Sequence, residues 1–168
     1  MVYAQWVANT SYLRREVEPY IRGRLAEEFS QPFSAQVLLL RPGGRHEFDA
    51  VASDRTVVAS IKAASGLTSG GRIPDGKIKN CLAELYYLSL VDAPVRRLVL
   101  TTPVFYDIFV RKSVGAIADG IEVVCVPLPA AMQQMVDQVV RAASREVSPA
   151  ASRAAVAAEV EEELHDET

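Results

Sequence analysis

Histidine, cysteine and tryptophan are scarce in this 168-residue chain, which has two, two and one of them. His46 and His165 supply too little imidazole for a histidine-based metal site or a Ser-His-Asp triad. Cys81 and Cys125 lie far apart inside apolar segments, and they read as buried thiols rather than as a disulfide framework or a zinc site. Long apolar runs are missing as well. Val37 to Leu40 and Ile121 to Val126 fall well short of the roughly 18 residues that span a bilayer, so no membrane helix is expected. Met1 to Thr10 has neither a basic start nor a continuous apolar stretch, so no secretory signal is read and a cytoplasmic location is expected. A composition of 49% hydrophobic and 23% charged residues suits one globular domain of ordinary size.

Charge is unevenly spread. Residues 144 to 168 hold seven acids against Arg145 and Arg153, a balance of −5. The net charge is −3, so residues 1 to 143 carry +2. A mildly basic body with an acidic tail permits a polyanionic partner without requiring one. Within the tail, Val156, Val160 and Leu164 make a thin helical stripe that reads as a solvated helix or as a contact for a partner.

The patterning alternates between helical and strand periods. Leu13 and Val17, then Ile21, Leu25 and Phe29, recur at helical spacing, with Pro19 predicting a break or kink between the two runs. Gln36 to Arg41, His46 to Ser53 and Thr56 to Ala63 read as strands of a meander, turned at Gly43-Gly44 and Asp54-Arg55. After a polar Gly-rich loop, Lys77 to Leu90 reads as a helix, Arg97 to Thr101 as a strand, Tyr106 to Ala118 as a helix and Ile121 to Pro127 as a strand. Residues 130 to 143 read as an amphipathic helix. This order implies an α/β fold, a mixed β-sheet flanked by helices. Residues 1–129 form the expected α/β domain, and 130–168 a C-terminal helical extension with the acidic tail.

If Asp54-Arg55 is a two-residue turn, Ser53 faces Thr56, Val51 faces Val58, Asp49 faces Ser60 and Glu47 faces Lys62. Alternation then sets Glu47, Asp49, Ser60 and Lys62 on one face, and Phe48, Ala50, Ala59 and Ile61 on the other. Such a cluster reads either as cross-strand ion pairs on a solvated surface or as a site.

Phe48-Asp49-Ala50-Val51, a turn, and Val58-Ala59-Ser60-Ile61-Lys62, after a Glu-bearing helix and before a helix and a strand, resemble the PD-(D/E)XK nuclease superfamily. The resemblance covers roughly Tyr12 to Thr102 and implies a restriction-endonuclease-like αβββαβ core. It also implies a Mg²⁺- or Mn²⁺-dependent phosphodiesterase acting on nucleic acid, principally DNA, as an endonuclease or exonuclease. Asp49 matches the metal-binding aspartate and Lys62 the lysine. Ser60 stands where the family has its second acid, and Glu18 matches the glutamate of the first helix. Serine is a neutral and poorer ligand for a hard cation, so Glu47, Glu18 or Glu84 must supply the missing charge. Glu84 lies on the following helix, to which members of the family can relocate that acid. Arg41, Arg45, Arg55, Arg72, Lys77 and Lys79 fall near the hairpin and suit a nucleic-acid backbone or a solvated rim. The other reading is a catalytically silent nuclease-like module that binds nucleic acid or a partner protein, and the C-terminal helices could hold such a partner or a second copy.

Gly71 to Lys77 has the spacing of a phosphate-cradling P-loop, but Ile78 replaces the required Ser or Thr and Pro74 removes an amide, so a loop beside the nuclease-like site is the simpler reading. His46 reads as structural. Of Tyr86 and Tyr87, one must face outward at a rim.

Overall fold

The computed structural model describes residues 11–63 and 75–146, of which 142–146 are described by backbone alone. The first apolar stripe forms a helix because Val17, Ile21 and Leu25 all bury on one side. A π-helical turn, Leu13–Val17, runs directly into helix α1, Glu18–Phe29. Pro19 lies inside this continuous helical run, where it cannot donate an N–H to the preceding turn, and the expected break becomes a local widening of the helix. Ser30, left-handed at φ 54°, ends it.

Strands β1 (Phe33–Leu39), β2 (Arg45–Ala52) and β3 (Val57–Lys62) form the antiparallel meander. Strand β1 begins three residues before the expected Gln36, where the Phe33 ring meets Phe29 of α1 at 6.0 Å between centroids. Helix α2 (Asp75–Leu90) leads to β4 (Val95–Leu100), and helix α3 (Pro103–Lys112) to β5 (Ile121–Cys125). Helix α4 spans Ala130–Glu146. The sheet order is β1-β2-β3-β4-β5, with β3, β4 and β5 parallel. The protein is therefore α/β, with a five-stranded mixed sheet flanked by helices.

Both crossovers pass over the same face of the sheet, as two right-handed connections advancing in one direction must. Phe48, Val51, Val58, Leu98 and Leu100 meet Leu85, Leu88, Phe105 and Phe109 of α2 and α3 there. Ala50, Ala59, Ile61 and Val99 line the opposite face beneath Val17, Ile21 and Leu25, with Val136 of α4 in the same cluster. Ala50 and Ala59 face each other in register, and their small side chains let α1 approach closely.

The structure corrects two further local expectations. The β2–β3 connection has four residues, Ser53 to Thr56, rather than two. Lacking glycine, it is organised by Asp54, whose Oδ1 accepts the Thr56 N–H at 2.9 Å and hydroxyl at 2.7 Å, and Arg55 turns left-handed at φ 61°. The register holds at Ala50 opposite Ala59 and Val51 opposite Val58, but the pairing ends there, and Asp49 and Glu47 are not paired with Ser60 and Lys62 as expected. The second correction is a β-bulge. Ser34 pairs with Val51 but Gln36 with Phe48, so Asp49 and Ala50 together oppose Ala35. Phe48 therefore enters the core beneath α2 while Ala50 enters the one beneath α1. The expected common face of Phe48 and Ala50 is lost, and by alternation Glu47 points away from the α2 side.

No helix among the described residues is long and apolar enough to cross a membrane.

Candidate active site

On the α2 side of the sheet, Glu84 is the hub. Its Oε1 accepts from Lys62 Nζ at 2.8 Å, and its Oε2 from the Ser60 hydroxyl at 2.8 Å and from His46 Nε2 at 3.2 Å. Ser60 and Lys62 are two apart on β3, and Glu84 descends on them from the middle of α2. His46 comes from β2, stacked on Tyr87 with centroids 3.9 Å apart and edge-on to Phe48. Lys62 is 32% exposed and Glu84 15%, so the pair sits in a wall of the protein that solvent still reaches.

Asp49 occupies the bulge. The β2–β3 ladder does not continue past Ala50, and there Asp49 Oδ2 accepts the Ile61 N–H at 2.7 Å. The Asp49 carbonyl is covered from the other side by Arg22 Nη1 at 2.7 Å, and the same nitrogen reaches Glu18 Oε2 at 3.4 Å. Arg22 thus ties helix α1 to the irregular point of β2. Arg22→Leu is expected to expose that carbonyl and cost about 1–2 kcal/mol, read as a lower denaturant midpoint with an unchanged slope.

The electrostatics follow from partial burial. Burial raises the Asp49 carboxyl above its ordinary range, and the nearby charges of Glu84 and Glu47 add to this, against the Ile61 hydrogen bond and the Lys62 charge. Burial and the Asp49 charge raise Glu18 too, opposed by Arg22 and Arg14. Burial works to raise Glu84, but the hydrogen bond and charge of Lys62, with Ser60 and His46, outweigh it and hold the carboxyl low. Burial would lower Lys62, yet its bond to Glu84 and the charges of Glu84 and Asp49 leave it raised. Burial pushes the Cys81 thiol up to about 12, which leaves it a protonated, inert neighbour.

Ser60, Lys62 and Glu84 are brought into contact, while Asp49 is held on the Ile61 N–H and shares with them, and with Glu18 of α1, only the influence of charge. Glu47 does not face Lys62 as expected, because the bulge turns it to the α1 side, where it is exposed. Among the basic candidates, Arg45, Arg55 and Lys79 are exposed. Lys77 is half-buried, and its ammonium is held below its ordinary range by burial, against the Asp137 charge. Arg41 gives its guanidinium to the Ser89 carbonyl and its N–H to the Leu90 carbonyl at 2.9 Å, closing the C-terminus of α2. Arg72, most of the P-loop-like segment and the acidic tail lie outside the described residues.

From the sequence alone His46 reads as structural, and Arg22 carries no role. The signal for Arg22 was its place four residues after Glu18 on one helix face. His46 could be found only by knowing of the bulge, which exchanges it with Glu47 on the α2 side.

Among the described residues no group of three or more His, Cys, Asp or Glu stands close enough to hold a metal ion. An all-protein cage is therefore not what these residues build. Mg²⁺, however, is commonly held by one or two carboxylates completed by water and substrate phosphates. Asp49 and Glu84 are the two carboxylates beside Lys62 whose charges are felt at this point of the sheet. Comparison with protein-family models, curated proteins and solved structures finds no match.

Proposed function

We propose that the protein is a metal-dependent phosphodiesterase of the PD-(D/E)XK type, cleaving nucleic acid, principally DNA, at the Asp49–Lys62–Glu84 cluster. One observation carries the reading. The Glu84 carboxylate receives both the Ser60 hydroxyl and the Lys62 ammonium, so a helix-borne acid stands beside the strand position where the resemblance lacks one. The order of one helix, three antiparallel strands, a helix and a parallel strand supports the same assignment.

In this reading Asp49 and Glu84 would hold the cation, Mg²⁺ or Mn²⁺. When bound, the cation supplies Lewis acidity and lowers the pKa of water. Lys62 would set its ammonium against the charge that grows on the phosphate and would help orient the attacking water. Ser60 and His46 set the Glu84 carboxylate and do not themselves react. Exposed Arg45 and Lys79 suit contacts to the sugar-phosphate backbone.

Purified protein with Mg²⁺ or Mn²⁺ is expected to degrade DNA, and chelation to stop it. Asp49→Asn is expected to abolish cleavage while raising the melting temperature near neutral pH. It removes a buried charge that burial disfavours and keeps an acceptor for the Ile61 N–H. Cleavage retained by Asp49→Asn would refute the proposal.

The silent-module reading is favoured by a different observation: both Glu84 oxygens are already occupied by protein donors. Salt-sensitive nucleic-acid binding, without turnover under any divalent cation, would select it.

A further inference from the structure

Strand β1 is an edge of the sheet, and among the described residues no strand lies beyond it. Leu40 donates its N–H to the Gly44 carbonyl at 2.8 Å, toward the β2 side. Antiparallel alternation then turns the backbone groups of Leu38 and Gln36 toward β2, and those of Ala35, Val37 and Leu39 outward. The residues with outward backbone also carry exposed apolar side chains: Val37 is 60% exposed and Leu39 67%. The devices that protect natural edges, a lysine or a proline on the strand, are absent from Phe33-Ser34-Ala35-Gln36-Val37-Leu38-Leu39.

We infer that a second copy of this chain pairs along β1, antiparallel, about a two-fold axis at Leu38. Charge selects the occupant and the register. On the face that carries Val37 and Leu39, β2 places Glu47 opposite Val37 and Arg45 opposite Leu39. With the axis at Leu38, Val37 of one copy faces Leu39 of the other. Each cross-sheet row then runs Arg45, Leu39, Val37, Glu47, a cation at one end and an anion at the other. An axis at Val37 would set Glu47 against Glu47 in one row, and an axis at Leu39 would set Arg45 against Arg45. Only the central register opposes unlike charges, and it also brings the outward N–H and C=O groups of Val37 and Leu39 face to face as hydrogen-bonded pairs. Long Arg and Glu side chains can lie across the Leu39–Val37 pair and close it from water. The contact is isologous, so it stops at two copies and joins two five-stranded sheets into one.

Sedimentation velocity of the full chain over a range of concentrations tests this. The wild-type protein is expected to sediment as a dimer. Leu39→Lys is expected to weaken association about 30-fold or more, as loss of an interface anchor does. Val37→Pro removes an outward N–H that β2 does not use, so it is expected to weaken association similarly while leaving the far-ultraviolet circular dichroism intact. Arg45→Glu and Glu47→Arg are each expected to weaken it, and the two together to restore it. A monomer throughout, a dimer indifferent to both edge variants, or a double charge swap no better than the single ones would overturn the inference.

Discussion

Lys62→Met is expected to lower metal-dependent cleavage by about 10²–10³-fold, the usual loss when one preorganised charge donor leaves a transition state. Methionine keeps most of the apolar stem and removes the ammonium, so the chain is expected to fold. The loss should fall on kcat, because an ammonium that meets charge developing on the phosphate acts more strongly in the transition state than in the ground state. Lys62→Arg provides the contrast. It retains the charge but replaces a compact ammonium with a planar fork that must share the same Glu84 oxygen, and partial activity is expected. Single-turnover kinetics on a labelled duplex would measure both.

Glu84→Ala is expected to have the largest effect on stability, about 2–4 kcal/mol by denaturant titration. It strips three donors, Lys62, Ser60 and His46, of one acceptor, and buried Ser60 has no solvent to turn to. Glu84→Gln keeps a carbonyl acceptor and is expected to cost less. The pH dependence carries a definite sign. Glu84 is held below its ordinary value, so its stabilising contribution is full above the unfolded pKa and is lost as pH falls through the folded value. Lys62 is raised, so its contribution is full below its unfolded pKa and disappears as pH climbs through the folded one. Asp49 and Glu18 are raised carboxyls and act in the opposite sense to Glu84, recovering stability on acidification. Glu84→Ala is therefore expected to flatten the acid limb of the stability profile and to shift the alkaline limb downward. Melting temperatures from about pH 2 to about pH 12, read at about one-unit steps, span the titration of both groups and would show both changes.

Much of the fold was legible because periodicity reports burial. The apolar positions Ile21 and Leu25, Leu85 and Leu88, and the run Leu98 to Leu100 are buried as their spacing demands. The hairpin register at Ala50–Ala59 and Val51–Val58 followed from turn position, although the turn itself is longer, because adding one residue on each side preserves which residues oppose; the pairs expected beyond Ala50 do not form. The site was legible in part. Asp49, Ser60 and Lys62 stood out as polar positions within an apolar hairpin, and Glu84 as an acid on the helix that follows. Hidden from the sequence was the bulge, since Phe48-Asp49-Ala50 alternates apolar and polar no differently from a regular strand. Its consequence, the exchange of Glu47 for His46 at the site, depends on pairing with Ala35 across β1, which no local pattern encodes. Arg22 was missed for a related reason, since its main partner is a backbone carbonyl freed by the same irregularity.

Removing Asp49 in thought shows what the irregularity is for. Phe48, Ala50 and Val51 would then alternate evenly between the two cores, and Ala35 would face a single partner. Strand β2 is therefore one residue longer than its own packing requires, and the surplus residue is the acid. A carboxylate delivered in this way displaces no core side chain, so selection could add, keep or discard the acid while leaving both hydrophobic layers untouched.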